Sequence, residues 1–146
     1  MPGISAVEGC AAYAGIPLTL RGVSQAILIT TGHTQDHVSA DLATYRSGQT
    51  LALYMGVAQF ASIAGQLIGN GHKPTTPVAV IENGTTDAQR VIRATLRDLG
   101  QLGSEHEIAS PALLLVGETV RYAQRYAWFG SAVIAPNDDE ALARVS

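Results

Sequence analysis

A chain of 146 residues amounts to one domain, long enough to bury a core and short for an enzyme that must enclose two substrates. Hydrophobic residues make up 47% and charged residues 14%, which excludes an intrinsically disordered chain and leaves apolar surface for another domain or subunit to cover. A net charge of −3, with nine basic residues scattered along the chain, gives no electrostatic footprint for nucleic acid.

Residues 2–15, PGISAVEGCAAYAG, open with a Pro-Gly turn and continue as a helix rich in alanine and glycine. Ser5 stands at the capping position, and Glu8 three residues on completes the spacing of a capping box. Free amides at such a helix start are a site for a polar or anionic group, although an ordinary capped helix accounts for the same residues. Cys10, the single cysteine, excludes an internal disulfide and fits a reducing compartment. In its small-residue segment it reads as a buried thiol packing as a small hydrophobe rather than as a nucleophile. With no apolar run of about 18 residues and no basic leader before an apolar segment, the chain is expected to be cytoplasmic, without a membrane partner.

Residues 16–22, IPLTLRG, form a loop punctuated by Pro17 and Gly22, and residues 26–31, AILITT, are a β-like run ending at Gly32 and His33. His33 and His37 stand four apart with Asp36 beside them, a spacing that metal ligands on a helix use. The segment is loop-like and brings no third ligand of matching spacing, so exposed or substrate-contacting histidines are the better reading. Residues 41–48 read as a short helix or turn. Residues 50–56, TLALYMG, form another β-like run, and residues 57–68 carry Val57, Phe60, Ala61, Ile63, Ala64, Leu67 and Ile68 at helical period. That pattern predicts a sheet-covering helix, stopped by Gly69, Asn70 and Gly71.

Residues 77–96 hold the densest signal in the chain. Val78, Ala79, Val80 and Ile81 form a continuous apolar run, as in a strand covered on both faces, and the run stops at Glu82. Asn83 and Gly84 tolerate positive φ, so a sharp turn is expected there, with backbone groups offered to a ligand and the hydroxyls of Thr85 and Thr86 beside them. Residues 90–96 alternate imperfectly, which predicts a strand with one exposed face. A polar loop at the end of a buried strand is the usual ligand position in an open α/β sheet. Residues 97–102 read as a short helix, 103–110 as polar and exposed, 111–117 (PALLLVG) as the last buried strand, and 120–128 as a helix with Arg121 and Arg125 on one face. Residues 131–146 read as a tail in which Asn137, Asp138 and Asp139 suit the cap of a final turn.

Strands near residues 27, 51, 78, 90 and 112, with helices between most of them, predict a single α/β domain with a mixed, about five-stranded sheet flanked by helices. The loop between the third and fourth strands is too short for a parallel crossover, so that pair is expected to be antiparallel.

The segments PGISAVEGCAAYAGIPLTLRG, TGH (31–33), YMG (54–56), ENGTTDAQR (82–90) and PALLLVGETV (111–120), in that order, resemble the C-terminal half of uroporphyrinogen-III C-methyltransferase, in the tetrapyrrole methylase family. The resemblance runs to about Phe129. It implies that residues 1–146 are the C-terminal domain of the tetrapyrrole methylase fold, one of two α/β domains with the cofactor between them, in a homodimer. The implied reaction moves methyl groups from S-adenosyl-L-methionine to two carbons of uroporphyrinogen III, leaving S-adenosyl-L-homocysteine and giving precorrin-2 on the way to sirohaem or cobalamin.

By position, Ser5 and Ala6 of PGISA, Met55 of YMG and Gly84 of ENGT match family residues that contact the cofactor. Met55 reads equally well as core filler. Arg21 and His33 fall in segments that resemble the tetrapyrrole side of the cleft, where cations would meet substrate carboxylates. In the family the N-terminal domain supplies the glycine-rich cofactor loop, the proposed base and the proposed proton donor. None of these is in this chain, so no catalytic residue is assigned, and alone it is expected to bind the cofactor weakly and turn over little or nothing. Leu20 stands where the family commonly has histidine, and residues 35–47 depart from its pattern. Two other readings are a related enzyme acting on a different substrate, and a binding or dimerisation module without chemistry.

Overall fold

The computed structural model describes residues 3–32, 41–54, 56–130 and 134. Helix α1 (Ala6–Tyr13) leads to strands β1 (Ala26–Thr31) and β2 (Gln49–Tyr54), then helix α2 (Phe60–Gly69). The hairpin strands β3 (Pro77–Glu82) and β4 (Arg90–Thr95) follow, then helix α3 (Leu99–Glu105), strand β5 (Ala112–Val116) and the short helix α4 (Ala123–Tyr126). All five strands lie where the apolar runs and, for β4, the alternating pattern predicted them.

The sheet has the order β1-β2-β5-β3-β4. β1 and β2 are parallel, while β5 runs antiparallel to both of its neighbours and β4 antiparallel to β3. It follows that β1, β2 and β3 all point the same way. Their C-terminal ends, Thr31, Tyr54 and Glu82, therefore lie along one rim, together with the starts of β4 and β5.

The alternation of side chains along each strand sorts the core into two layers. Leu51, Leu53, Val78, Val80, Ile92, Leu114 and Val116 face α2 and α3, which contribute Phe60, Ile63, Leu67, Leu99 and Leu102. Ala52, Ala79, Ile81, Val91, Leu113 and Leu115 face α1 and α4 through Val7, Cys10, Ala11, Ala14 and Ala123. Each fully buried leucine or isoleucine contributes about 1.5–3 kcal/mol of transfer free energy. This two-sided coverage is why β3 and β5 read as unbroken apolar runs. Between the strands and the following turn, Ser24 Oγ, Thr50 Oγ1 and Thr119 Oγ1 form a buried chain of hydroxyls with spacings of 2.9 and 3.1 Å.

Three expectations are corrected. β4 has no exposed face: Val91, Ile92, Arg93 and Ala94 are all buried. Its outer edge is also paired, since Arg93 N–H donates to Ile134 O at 2.8 Å and Ile134 N–H to Val91 O at 3.0 Å. Ile134 bridges to this edge beside Ile92; residues 131–133 and 135–146, the rest of the expected tail, lie outside the described residues. The stretch 103–110 is not wholly exposed, because α3 continues to Glu105 and Ile108 joins the α2–α3 core. Residues 118–126 form a 3-10 turn followed by one turn of α-helix rather than one continuous helix. Among the described residues, no helix is long and apolar enough to cross a membrane.

Candidate functional site

The loop between β3 and β4, residues 83–89, is the most constrained part of the rim. The sharp turn forms, but positive φ falls on Asn83 (50°) and Thr85 (69°) rather than on Gly84. Glycine is needed at 84 for space: a Cβ there would lie 2.3 Å from Cys10 Sγ and 3.1 Å from Cys10 Cβ. Asn83 N–H donates to Pro111 O at 3.0 Å, Thr86 Oγ1 donates to Asn83 O at 2.7 Å, and Thr85 N–H donates to Gln89 Oε1 at 2.7 Å. Glu82, where the apolar run stops, is the last residue of β3. Its buried carboxylate accepts Arg90 Nε at 2.7 Å and Ala109 N–H at 2.8 Å, while Arg90 Nη2 donates to His106 O at 2.8 Å. That carboxylate is consumed by structure and is not available as a base.

Helix α1 begins beside this loop. Glu8 reaches back to accept both Ser5 N–H and Ser5 Oγ–H at 2.9 Å, and these two bonds, the backbone one first, hold its carboxyl below the usual range. Ser5 and Ala6 are exposed. Val7 N–H donates to Tyr54 Oη at 3.1 Å, which ties the helix start to the last residue of β2. A Cβ on Gly9 would lie 3.3 Å from Thr85 Cγ2, and Cys10 packs on Gly84, so one face of the first turns lies directly on the 83–85 loop. Burial pushes the Cys10 thiol up, away from the thiolate, as its small-residue surroundings predicted.

The structure therefore gathers Ser5, Ala6 and Gly84 at one rim, next to Tyr54. Met55, His33, His37 and Asp36 lie outside the described residues. Arg21 is not part of this cluster. It turns a tight hairpin closed by Leu20 and Ser24, and Ser24 bonds Thr50 near the start of β2, at the opposite rim, so about a strand's length of 17–20 Å separates the two. Among the described residues, no group of three or more histidine, cysteine, aspartate or glutamate side chains could hold a metal ion. Tyr54 and Gln89 are rim residues that were not singled out from the sequence, although they sit inside the YMG and ENGTTDAQR motifs, which was the signal available; Thr85, whose hydroxyl was expected beside the turn, is at the rim as read.

At the opposite rim Tyr45 Oη donates to Gln49 O and Val116 O at 3.2 and 3.3 Å, and its ring stacks on His72 at 4.4 Å. Burial, and then the charge of Glu118, pushes the Tyr45 hydroxyl up to about 12, so it serves as a structural donor.

An open mixed sheet whose polar loop and helix start meet at one rim defines an α/β domain of the kind that takes small ligands at its strand ends. The chain belongs to the tetrapyrrole methylases, residues 1–100 matching the profile of the Tetrapyrrole (Corrin/Porphyrin) Methylases. The siroheme synthase of Pseudomonas paraeruginosa is 46% identical over 136 residues, covering 90% of this chain and 29% of that protein. That of Gluconacetobacter diazotrophicus is 47% identical over 125 residues, covering 84% and 27%. Among solved structures, uroporphyrin-III C-methyl transferase from Thermus thermophilus complexed with S-adenyl homocysteine is similar with a TM-score of 0.71 at 30% identity, over 83% of this chain and 50% of that one. A cobalamin biosynthetic enzyme, cobalt precorrin-4 methyltransferase, gives 0.72 at 26% identity, over 82% and 51%. The chain thus spans 29% of the length of the first of these siroheme synthases.

Proposed function

We propose that this chain is the C-terminal part of an S-adenosyl-L-methionine-dependent uroporphyrinogen-III C-methyltransferase, and that its rim forms one wall of the cofactor site. One observation carries the reading: the first turn of α1, the end of β2 and the 83–85 loop meet, through the Val7–Tyr54 bond and the Gly84–Cys10 contact, at the positions that resemble the family's cofactor residues. The group fits the residues present. Adenine and methionine call for backbone hydrogen bonds beside an apolar wall, and exposed Ser5 and Ala6 together with the side-chain-free backbone of Gly84 supply the polar part. Met55 belongs to the same proposal as apolar wall, and His33 as a cation toward the carboxylates of the tetrapyrrole; Arg21, at the opposite rim, is left out of it.

When bound, the cofactor would supply an electrophilic methyl group on a sulfonium, and Ser5, Ala6 and the Gly84 backbone would hold it at the rim. The chain's residues contribute positioning, which is most of what an in-line displacement requires. No residue of the rim is assigned as base or proton donor, so chemistry calls for an N-terminal partner domain. We further propose that the assembled protein is a cytoplasmic homodimer; its low charge content and its single buried free thiol support this.

Mixing the chain with a separately prepared N-terminal domain is expected to restore methylation of uroporphyrinogen III, read as precorrin-2. A folded but inactive mixture overturns the assignment. The similarity to cobalt precorrin-4 methyltransferase favours, as the alternative, a different tetrapyrrole substrate, and a panel of precorrins decides between them. Failure of the chain to bind S-adenosyl-L-homocysteine at millimolar concentration favours a module without chemistry. Sedimentation and cell fractionation test the dimer and the compartment.

A further inference from the structure

Resting on the cofactor reading above, we infer that Gln89 is a positioning residue: it holds the 83–85 backbone in the form the cofactor meets, and so sets cofactor affinity without touching the cofactor. The loop needs such a support. Asn83 and Thr85 both adopt left-handed φ on either side of Gly84, and threonine is β-branched, so this conformation persists only where the surroundings impose it. Thr85 is exposed and its side chain meets α1 through Cγ2 beside Gly9, on one side.

Gln89 imposes it. It is 5% exposed, its Oε1 accepts Thr85 N–H at 2.7 Å, and its own N–H donates to Thr86 O at 2.9 Å. The two bonds hold adjacent residues of the turn, Thr85 by its N–H and Thr86 by its carbonyl. A buried amide is costly unless bonded, and these bonds are what hold Gln89 in its buried place. Glu82 and Arg90, joined across the hairpin, fix the base from which Gln89 projects, but neither bonds Thr85. The consequence reaches α1, because Thr85 Cγ2 occupies the space into which a Cβ on Gly9 would point, 3.3 Å from it. A Thr85 peptide released from Gln89 would loosen the Gly84 backbone and the seating of the Ser5–Ala6 turn together.

The test compares the full chain with Gln89→Met, which keeps the volume and removes the acceptor, and Gln89→Glu, which keeps an acceptor oxygen. Hydrogen exchange is followed by mass spectrometry over residues 83–89 and over β2 and β5, and S-adenosyl-L-homocysteine binding by calorimetry. In Gln89→Met, exchange over 83–89 is expected to rise at least about tenfold with β2 and β5 unchanged, and affinity to fall about tenfold, the scale of one lost hydrogen bond plus loop release. Gln89→Glu is expected to stay within about threefold of the original chain on both readouts. Unchanged exchange in Gln89→Met overturns the inference, as does faster exchange with unchanged affinity. If the original chain itself fails to bind the cofactor product, the functional reading falls and the inference with it; tight binding that is indifferent to Gln89→Met removes the inference alone.

Discussion

Replacing Gly84 by alanine tests whether the close approach of α1 to the 83–85 loop organises the rim. In an open loop the change would stabilise by about 0.4–1 kcal/mol, because alanine restricts the unfolded chain and Gly84 does not need a left-handed φ. Here the new methyl would sit 2.3 Å from Cys10 Sγ, 3.1 Å from Cys10 Cβ and 3.3 Å from Ile81 Cγ2, so helix and loop must part. A 2.3 Å contact puts the overpacking cost in the upper part of the usual range, about 2–3 kcal/mol, which outweighs the entropic gain and leaves a net loss of about 1–2 kcal/mol. For a domain of this size that is a fall of about 2–8 °C in melting temperature.

The cause is isolated by a double-mutant cycle read in urea unfolding. Cys10→Ala alone removes a buried sulfur and costs about 1 kcal/mol. In the double variant the methyl introduced at position 84 occupies the space the sulfur left, so the combined loss is expected to fall short of the sum by at least about 1 kcal/mol. Additivity within about 0.5 kcal/mol, or a stabilising Gly84→Ala, refutes the steric argument and with it the claim that α1 and the loop form one surface.

Glu82→Ala strands Arg90 Nε and Ala109 N–H and is expected to cost about 2–3 kcal/mol in urea unfolding, below the full price of breaking a buried pair because the Arg90 side chain is 36% exposed against 9% for Glu82. A loss under about 1 kcal/mol contradicts the buried role. The Glu8 carboxyl is held below its ordinary 4.5 in the folded chain, so its stabilisation is present above pH 4.5 and is lost as pH falls through the lower folded value. Glu8→Gln is accordingly expected to flatten the acid limb of a melting-temperature profile, and an unchanged limb counts against the bond pair at Ser5. Tyr45→Phe leaves Gln49 O and Val116 O without their donor and is expected to cost about 1–2 kcal/mol. The folded Tyr45 keeps its proton to about 12 while the unfolded chain releases it near 10, so its contribution holds below pH 10 and declines from there to 12. The phenylalanine variant should show a shallower alkaline decline, and equal declines would refute the assigned burial effect.

Much of the architecture was legible because it depends on short windows of sequence. The runs at Val78–Ile81 and in PALLLVG announced strands covered on both faces, and the loop of 83–89 was too short for anything but an antiparallel return. β4 was misread as half exposed because its polar positions look solvent-facing in isolation, whereas Ile134 and the core around α3 cover it from far along the chain. Gly84 was singled out for the wrong property: turn chemistry favours glycine for its φ, but here the neighbour that forbids a side chain is Cys10, in another element. Gln89 passed unnoticed because a glutamine carries no local signal of what it will bond.

Residue order by itself determined which segments become strands and helices, where the chain must turn, and the motifs that mark a tetrapyrrole methylase, since periodicity, turn preference and motif spacing are all local properties. Tertiary structure decided which of those motifs meet. Placing β5 antiparallel between β2 and β3 turns the ends of β1, β2 and β3 to one rim, brings Ser5 and Ala6 beside Gly84, and leaves Arg21 at the other end of the strands. That order follows from burying both faces of the sheet at once, a condition on the whole chain that no single stretch of it contains.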